Sequence, residues 1–268
     1  TLDTGAPGLA VTASGDANKT STEAQAGIVS VTAESGAAVS VVLTGTAGTV
    51  TKTLTGTGAA QSVAITTGDM TTLGQGTVTV TTTATDAAGN PATSINGGFT
   101  LDTVGPALAS ADVSGRVLTL TYSDITGIDP SNVPVASAFT VRVNGTPVTV
   151  DSVSVFNNEI QVTLTNAVAN GSTLSFDYLA AGATVTKDVA GNTAGALTNQ
   201  SASVPNGSLV DGYIRGAKLY LDADNDGTAD DSEYTGKDTD ADGNFSLDNP
   251  DKYTIIATGG VNIDTGIP

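Results

Sequence analysis

The sequence predicts an all-β protein that consists of tandem immunoglobulin-like β-sandwiches followed by a smaller β module. Short runs rich in Val, Ile and Thr recur along the chain, and clusters of Gly, Asn, Ser and Asp separate them. This pattern is typical of many short strands joined by tight turns. Two segments also return after about a hundred residues, which is the size of one immunoglobulin-like sandwich.

The internal repeat is visible in two pairs of segments. Residues 1–7 return as residues 100–106 at an offset of 99, and residues 86–91 are echoed by residues 188–193 at an offset of 102. These echoes, together with a change of composition near residue 208, predict three modules. The predicted modules are 1–103, 104–207 and 208–268. Whether the third module is a complete domain or the beginning of one stays open at this point.

The first module contains seven runs that are predicted to form strands. Residues 78–81 alternate apolar and polar side chains at period two, as a half-buried strand requires. Because Phe99 is the only aromatic residue of the module, its core is expected to consist of Val, Ile, Leu and Ala. The predicted strands are 9–13, 28–34, 39–44, 50–54, 63–66, 78–86 and 95–101.

The second module has the same texture, with six predicted strands. Asn144 and Gly145 lie between two of the runs, and this pair is a strong signal for a two-residue hairpin. The predicted strands are 117–122, 139–143, 148–150, 160–165, 174–178 and 184–187. In the third module, residues 213–221 are predicted to form a strand because apolar side chains alternate with Lys218 and Tyr220.

Composition excludes several classes of function. The chain has 27 acidic and 9 basic residues, and its negative field makes nucleic acid and anionic membranes unexpected partners. It contains no Cys or His, which excludes His bases, Ser-His-Asp triads and ordinary zinc sites. Asp-Thr-Gly triplets at 3–5 and 264–266 resemble an aspartic-protease dyad, but the first recurs without its Gly at 102–104. We therefore predict a monomer that is not an enzyme and does not insert into a membrane. Without Cys and His, the strong metal ligands that remain in the chain are oxygen atoms.

The acidity is concentrated in the third module. Residues 209–268 hold 13 acidic and 4 basic residues, a net charge of −9, which is half of the total of −18. Within them, residues 222–233 fit the twelve-residue EF-hand loop, with Gly227 at the sharp turn. The predicted ligands of Ca²⁺, the expected cofactor, are Asp222, Asp224, Asp226, Thr228, Asp230 and Glu233. Since the preceding segment is predicted to be a strand, the loop is an EF-type loop on a β scaffold.

Two further groups are candidates for calcium. Asp238, Asp240 and Asp242 begin a second Asp-x-Asp-x-Asp-Gly pattern, but Asn249 at its twelfth position offers no bidentate carboxylate. The alternative is a hairpin turn whose Asp residues supplement the first site. The other group is a junction site formed by linker and loop residues, for which a plain turn is again the alternative. Its predicted ligands are Asp3, Asp86, Asn90 and Asp102. Asp16, Glu23 and Asp69 are weaker candidates.

Each module also resembles a known family. Through the Leu-Asp-Thr-x-x-Pro linker and residues 84–90 and 99–103, the first resembles bacterial Ig-like repeats of giant secreted surface adhesins. The second resembles the SwmB-type repeat of a cyanobacterial motility surface protein. That likeness rests on residues 118–123, 139–148 and 188–192. Residues 239–247 resemble the B-type repeats of Gram-positive surface adhesins, small sandwiches that bind calcium.

These resemblances imply sandwiches that act as spacers or binding units on a cell surface, with calcium at the junctions between domains. The expected function is a calcium-stiffened extender or stalk segment of a bacterial cell-surface or secreted adhesin, located outside the cell. Its expected partners are neighbouring repeats of the same longer chain and, through other domains, a surface glycan or protein. Two alternatives are a calcium-dependent carbohydrate- or peptide-binding module and accessory domains of a secreted hydrolase.

Overall fold

The structure is a computed structural model, and it describes most of the chain. The described residues are 3–13, 17–92, 95–181, 184–205, 207–208, 214–224, 227–247, 253–263 and 267–268. Within these ranges the protein is all-β with two short α-helices, which confirms the predicted fold class. No helix in the described part of the chain is long and apolar enough to cross a membrane.

The chain divides into two compact units. Unit 1 comprises Thr1–Ala107, Ser123–Asp129 and Lys187–Ala194, and unit 2 comprises Leu108–Tyr122, Pro130–Thr186 and Gly195–Pro268. Two loops from the range of the predicted second module therefore belong to the same unit as the first module. The boundaries of the three modules stay a prediction from the sequence.

Unit 1 contains a β-sandwich. Its strands are β1 (Leu9–Ala13), β2 (Asn18–Lys19), β3 (Val29–Ala33), β4 (Ala38–Thr44), β5 (Thr49–Thr55), β6 (Ala60–Val63), β7 (Gly76–Thr85) and β8 (Ile95–Leu101), and its helices are α1 (Ser21–Ala26) and α2 (Thr67–Leu73). The two sheets have the strand orders β1-β3-β6 and β2-β8-β7-β4-β5. All pairs are antiparallel except β2 with β8.

Alternation along the strands builds the core of this sandwich. In β3, Val29, Val31 and Ala33 are buried while the residues between them are partly exposed. The buried side chains of the two sheets and helices form one cluster of Val, Ile, Leu and Ala, to which Met70 adds a thioether and Phe99 adds the only aromatic ring. The predicted strands agree with the structure, except that the run predicted at 63–66 lies three residues earlier, as β6.

The two helices and β2 were not predicted. Each helix is only two turns long and begins with a capping box, in which a Thr side chain and an acidic side chain three residues later exchange hydrogen bonds with the backbone. The pairs are Thr20 with Glu23 and Thr66 with Asp69. Glu23 and Asp69, weak metal candidates in the sequence, therefore hold helix termini.

Unit 2 begins with two four-stranded antiparallel sheets. Their strands are β9 (Ala107–Ser114), β10 (Val117–Ser123), β11 (Phe139–Val143), β12 (Thr146–Val148), β13 (Val150–Phe156), β14 (Glu159–Leu164), β15 (Leu174–Tyr178) and β16 (Leu197–Ala202). A 3₁₀ turn at Ala136–Ala138 precedes β11. The strand orders are β13-β14-β10-β9 and β12-β11-β15-β16. The stacked rings of Phe139 and Tyr178 lie in the core, with their centroids 5.0 Å apart.

The hairpin predicted at Asn144–Gly145 joins β11 to β12. Both residues have positive φ, 50° and 78°, as a type I′ turn requires. The predicted strand at 184–187 is wrong, since the described residues there form only isolated bridges at Lys187 and Asp188. Strands β9, β13 and β16 were missed or cut short because their mixed polar patterns leave many residues exposed on the edges of the sheets.

Small sheets make up the rest of unit 2. The strands are β17 (Gly207–Ser208), β18 (Ile214–Arg215), β19 (Lys218–Asp222), β20 (Tyr234–Asp238), β21 (Asn244–Phe245), β22 (Thr254–Thr258) and β23 (Val261–Asn262). One of these sheets has three strands, in the order β20-β19-β22, and the other two have two strands each. Ala217, Leu219 and Leu247 are buried. The run predicted as one strand is divided between β18 and β19.

Candidate metal centres

The predicted calcium loop begins where β19 ends. Asp222 is the last residue of β19 and is 4% exposed, and a 3₁₀ turn at Asp231–Glu233 leads into β20. Gly227 has a φ of 78°, which is the left-handed conformation expected at the sharp turn. Its backbone N–H donates to Asp222 Oδ2 at 3.1 Å. The loop therefore curls back onto the carboxylate at its first position.

The curl brings three of the predicted ligands together. Asp222, Asp224 and Glu233 each offer an oxygen atom, and these atoms lie within 4.8 Å of one another. Two oxygens bound to one calcium ion at about 2.4 Å are at most about 4.8 Å apart, so this spacing fits a shared Ca²⁺. Glu233 Oε1 accepts a hydrogen bond from the backbone N–H of Ala223 at 2.6 Å. Glu233 Oε2 is buried and has no hydrogen-bond partner among the described residues.

The other predicted ligands of this loop have different outcomes. Asp226 lies outside the described residues. Thr228 and Asp230 are exposed, and Asp230 is not part of the three-carboxylate group. The Asp230 backbone carbonyl accepts a hydrogen bond from the N–H of Glu233, so this residue shapes the turn that presents Glu233.

The second Asp-x-Asp-x-Asp-Gly pattern, which begins at Asp238, forms a turn in which its carboxylates do not converge on a common position. The hydroxyl of Tyr234 donates to Asp238 Oδ1, the N–H groups of Asp242 and Asn244 donate to Asp240 Oδ1, and Asp242 Oδ2 accepts from Ser114. The three carboxylates therefore do not form a three-member group in the described part of the chain. These residues form a turn, and the group of Asp222, Asp224 and Glu233 does not include them in the described part of the chain. Asn249 lies outside the described residues.

A second group of three carboxylates lies within unit 1. Asp102, Asp124 and Asp188 each offer an oxygen atom within 4.8 Å of the others. Asp102 is 0% and Asp188 1% exposed, while Asp124 is partly exposed. Asp102 follows β8, and the other two belong to the loops 123–129 and 187–194 that share this unit. The group is therefore assembled from three distant parts of the sequence.

Hydrogen bonds orient each carboxylate of this group. Asp102 Oδ2 accepts from the Thr126 hydroxyl at 2.7 Å, and Asp124 Oδ1 accepts from the Thr126 backbone N–H at 2.8 Å. Asp188 Oδ1 accepts from the backbone N–H of Asn192 at 2.8 Å, and Asp188 Oδ2 accepts from the Asn192 side-chain amide at 2.8 Å. Burial raises the pKa of Asp188, the bonds from Asn192 oppose this, and the nearby charges of Asp102 and Asp124 raise it further. A cation in this position would relieve that crowding.

The structure brings Asp102 together with carboxylates other than those predicted for the junction site. The sequence combined Asp102 with Asp86, Asn90 and Asp3, whereas the described residues place an oxygen of Asp102 near those of Asp124 and Asp188. The side-chain amide of Asn90 instead donates to Asp86 Oδ2 at 2.8 Å and to the backbone carbonyl of Asp3 at 3.2 Å. Asp3 is thus bound by a turn that lies nearly ninety residues later in the chain, and the side-chain amide of Asn192 binds the backbone carbonyl of Asp102 in the same way. The two repeat offsets of 99 and 102 residues contained this signal, since Asp3 maps onto Asp102 and Asp86 maps onto Asp188. Asp124 had no signal in the sequence.

Comparison with known proteins identifies one family in the chain. The model of the SWM repeat, described as “Putative flagellar system-associated repeat”, matches residues 101–182. This match confirms the predicted SwmB-type resemblance of the second module over that range. No curated protein matches the chain. The protein is therefore an all-β protein in which residues 101–182 are similar to this repeat. The family assignments of the first and third modules stay predictions.

Proposed function

We propose that this chain is a calcium-stiffened extender segment of a bacterial cell-surface or secreted adhesin. The observation that carries the proposal is the group of Asp222, Asp224 and Glu233, which each offer an oxygen atom within 4.8 Å of the others. In addition, Glu233 Oε2 is buried and has no hydrogen-bond partner among the described residues. Leaving a buried polar atom unpaired costs about 1–3 kcal/mol, and a hard cation at this position removes that cost. The donors are all oxygen atoms, which suits Ca²⁺.

The group of Asp102, Asp124 and Asp188 supports the same proposal at the linker that follows β8. Two of these carboxylates are almost fully buried, and burying like charges together is unfavourable unless a cation compensates them. Calcium there would order the linker and the loops 123–129 and 187–194 together. Extracellular calcium modules bind with dissociation constants of about 10⁻⁴–10⁻³ M, so millimolar calcium outside the cell would occupy such sites.

Thermal unfolding in calcium and in EDTA tests the proposal. A ligand at a hundred times its dissociation constant adds about 2.7 kcal/mol to folded-state stability, and this corresponds to a rise in Tm of roughly 5–10 °C. The substitution Glu233→Gln is expected to remove the gain that comes from the loop site. The matched control is Glu34→Gln, because Glu34 is exposed and makes no side-chain hydrogen bond among the described residues.

Metal content after exhaustive buffer exchange then counts the occupied sites. The proposal predicts more than one calcium ion in the wild type and one fewer in Glu233→Gln. If the unfolding curves in EDTA and in tenfold molar excess calcium coincide, calcium does not stiffen this protein.

One observation favours the second candidate, a calcium-dependent carbohydrate- or peptide-binding module. Tyr234 and Tyr253 line a pocket of about 370 Å³ together with Glu233 of the calcium loop. Aromatic rings beside a calcium ion with an open coordination position provide a surface for sugar hydroxyls and ring faces. A glycan array probed in calcium and in EDTA distinguishes the two functions, since a pure extender binds no glycan in either condition.

A further inference from the structure

The chain contains three copies of one turn, and two hydrogen bonds donated by backbone N–H groups are the same in each copy. Its sequence is Asp-x-x-Gly-Asn, at residues 86–90, 188–192 and 240–244. In each copy the N–H of the Asp donates to the carbonyl of the Asn, at 3.1, 3.0 and 2.9 Å, and the Asn N–H returns to the Asp carboxylate at 2.8 Å. The Gly has a positive φ in every copy, which other residues resist.

In the first two copies the turn also holds a linker. The amide of Asn90 donates to the carbonyl of Asp3 at 3.2 Å, and the amide of Asn192 donates to the carbonyl of Asp102 at 3.0 Å. Both linkers have the sequence Leu-Asp-Thr, and both bonds cross about ninety residues. The same bond made twice at equivalent positions indicates a device that belongs to the repeat.

Other bonds fix the Asp102 linker from several directions. The N–H of Asp102 donates to the carbonyl of Lys19 at 2.9 Å. The side chain of Gln75 binds Thr103 twice, since its Oε1 accepts from the Thr103 N–H at 2.8 Å and its amide donates to the Thr103 hydroxyl at 2.7 Å. The Val104 N–H donates to Asp102 Oδ1 at 3.3 Å. Three successive linker amides are therefore hydrogen-bonded.

We infer that the Asp-x-x-Gly-Asn turn is a latch for the linker of its own repeat, and that Asn192 is the positioning residue of the Asp102–Asp124–Asp188 group. One amide, that of Asn192, binds the backbone of Asp102 and the carboxylate of Asp188, so it sets the distance between two members of the group. The latch works without metal. Its effect on a bound cation rests on the proposed function.

Hydrogen exchange of the full chain, measured by mass spectrometry in EDTA and in calcium, tests the latch. In EDTA, Asn192→Ala is expected to speed exchange of the linker peptide 100–107 at least about fivefold, because the bond that anchors Asp102 is lost. Asn192→Asp, which keeps the shape but cannot donate, is expected to do the same. The matched control is Asn90→Ala, which should speed exchange around Asp3 and leave peptide 100–107 unchanged.

The two variants also separate the latch from the cation site. Calcium should slow exchange of peptide 100–107 in the wild type and in Asn90→Ala, and much less in Asn192→Ala. A strand peptide from β7, which belongs to the same unit as the linker, reports whether a variant has lost its fold. The latch is refuted if Asn192→Ala leaves exchange of peptide 100–107 in EDTA unchanged while β7 stays protected. Calcium binding at the linker is refuted, with the latch intact, if calcium slows exchange in none of the proteins.

Discussion

The two groups of carboxylates each contain three residues whose oxygen atoms lie within 4.8 Å of one another, but the residues of the two groups are brought together in opposite ways. Asp222, Asp224 and Glu233 come from twelve consecutive residues, whereas Asp102 and Asp188 are 86 residues apart (188 − 102). The loop group leaves one buried oxygen without a partner among the described residues. In the linker group, Asp102 and Asp188 are almost fully buried, and protein groups donate hydrogen bonds to all three carboxylates.

The two groups are therefore expected to respond differently to the absence of a cation. The loop group comes from one short segment, and its Asp224 is exposed, so we expect this segment to rearrange when no cation binds it. A buried group assembled from distant segments keeps its geometry through hydrogen bonds, so like charges stay close with or without metal. We therefore expect the linker group to depend on tertiary packing and the loop group to depend on calcium.

The largest expected effect breaks the linker group and leaves the loop group intact. A Cβ atom on Gly105 would lie 2.1 Å from the backbone oxygen of Thr193 and 2.6 Å from its carbonyl carbon. Because both neighbours are backbone atoms, Gly105→Ala is expected to push the linker away from residues 187–194 at a cost of about 3 kcal/mol. Chemical unfolding in EDTA measures this loss.

Gly195→Ala is the control, because a Cβ atom at Gly195 meets nothing within 4 Å. Gly105→Ala should keep the calcium-dependent gain that Glu233→Gln removes. If Gly105→Ala instead removes every calcium effect, the two groups are not independent.

A smaller effect of opposite sign tests the charge crowding. In Asp124→Asn the Oδ1 atom still accepts from the N–H groups of Thr126 and Gly127, while one negative charge next to Asp102 and Asp188 disappears. In EDTA this variant should be more stable than the wild type by about 1 kcal/mol, since carboxylates less than 5 Å apart repel each other. In saturating calcium it should be the less stable protein.

Glu233→Gln is the counterpart in the more exposed loop, and in EDTA we expect its stability to stay within about 0.5 kcal/mol of the wild type. Urea unfolding of both variants in both conditions checks the contrast. An Asp124→Asn protein that is destabilised in EDTA would mean that the carboxylate is structurally required without metal.

The smallest effect comes from an acidic residue outside both groups. Burial tends to raise the pKa of Asp69, but hydrogen bonds from the Lys52 side chain and from Thr66 outweigh it, so the pKa is lowered. Its folded-state pKa lies below the unfolded value, so its stabilisation is present above about pH 4 and is lost on acidification below that.

Asp69→Asn should therefore lower Tm by a few degrees at neutral pH, and the difference from the wild type should shrink between about pH 4 and pH 2. Glu34→Gln serves as the control. A difference that stays constant down to pH 2 would show that the charge of Asp69 is not what holds the capping box.

Most strands could be predicted because their signal is local. Runs rich in Val, Ile and Thr located β3 and β4 within a few residues, and period-two alternation supported β7. The Asn144–Gly145 pair located a hairpin. The helices were missed because α1 and α2 are too short to show a helical period, and their capping boxes lie in Thr-rich segments that also suit turns. Edge strands such as β16 were missed because exposed polar residues mask the alternation.

The sequence was enough to predict the all-β class, the repeat of about a hundred residues and an acidic loop at 222–233 with the spacing of an EF-hand loop, because each depends on residues that are neighbours along the chain. Only the tertiary structure showed that Asp102 meets Asp124 and Asp188, and that Asn192 holds the linker. The physical reason is that these contacts arise where a linker closes on loops from distant strands. Spacing along the chain shows which residues recur, and only tertiary packing decides which of those residues come into contact.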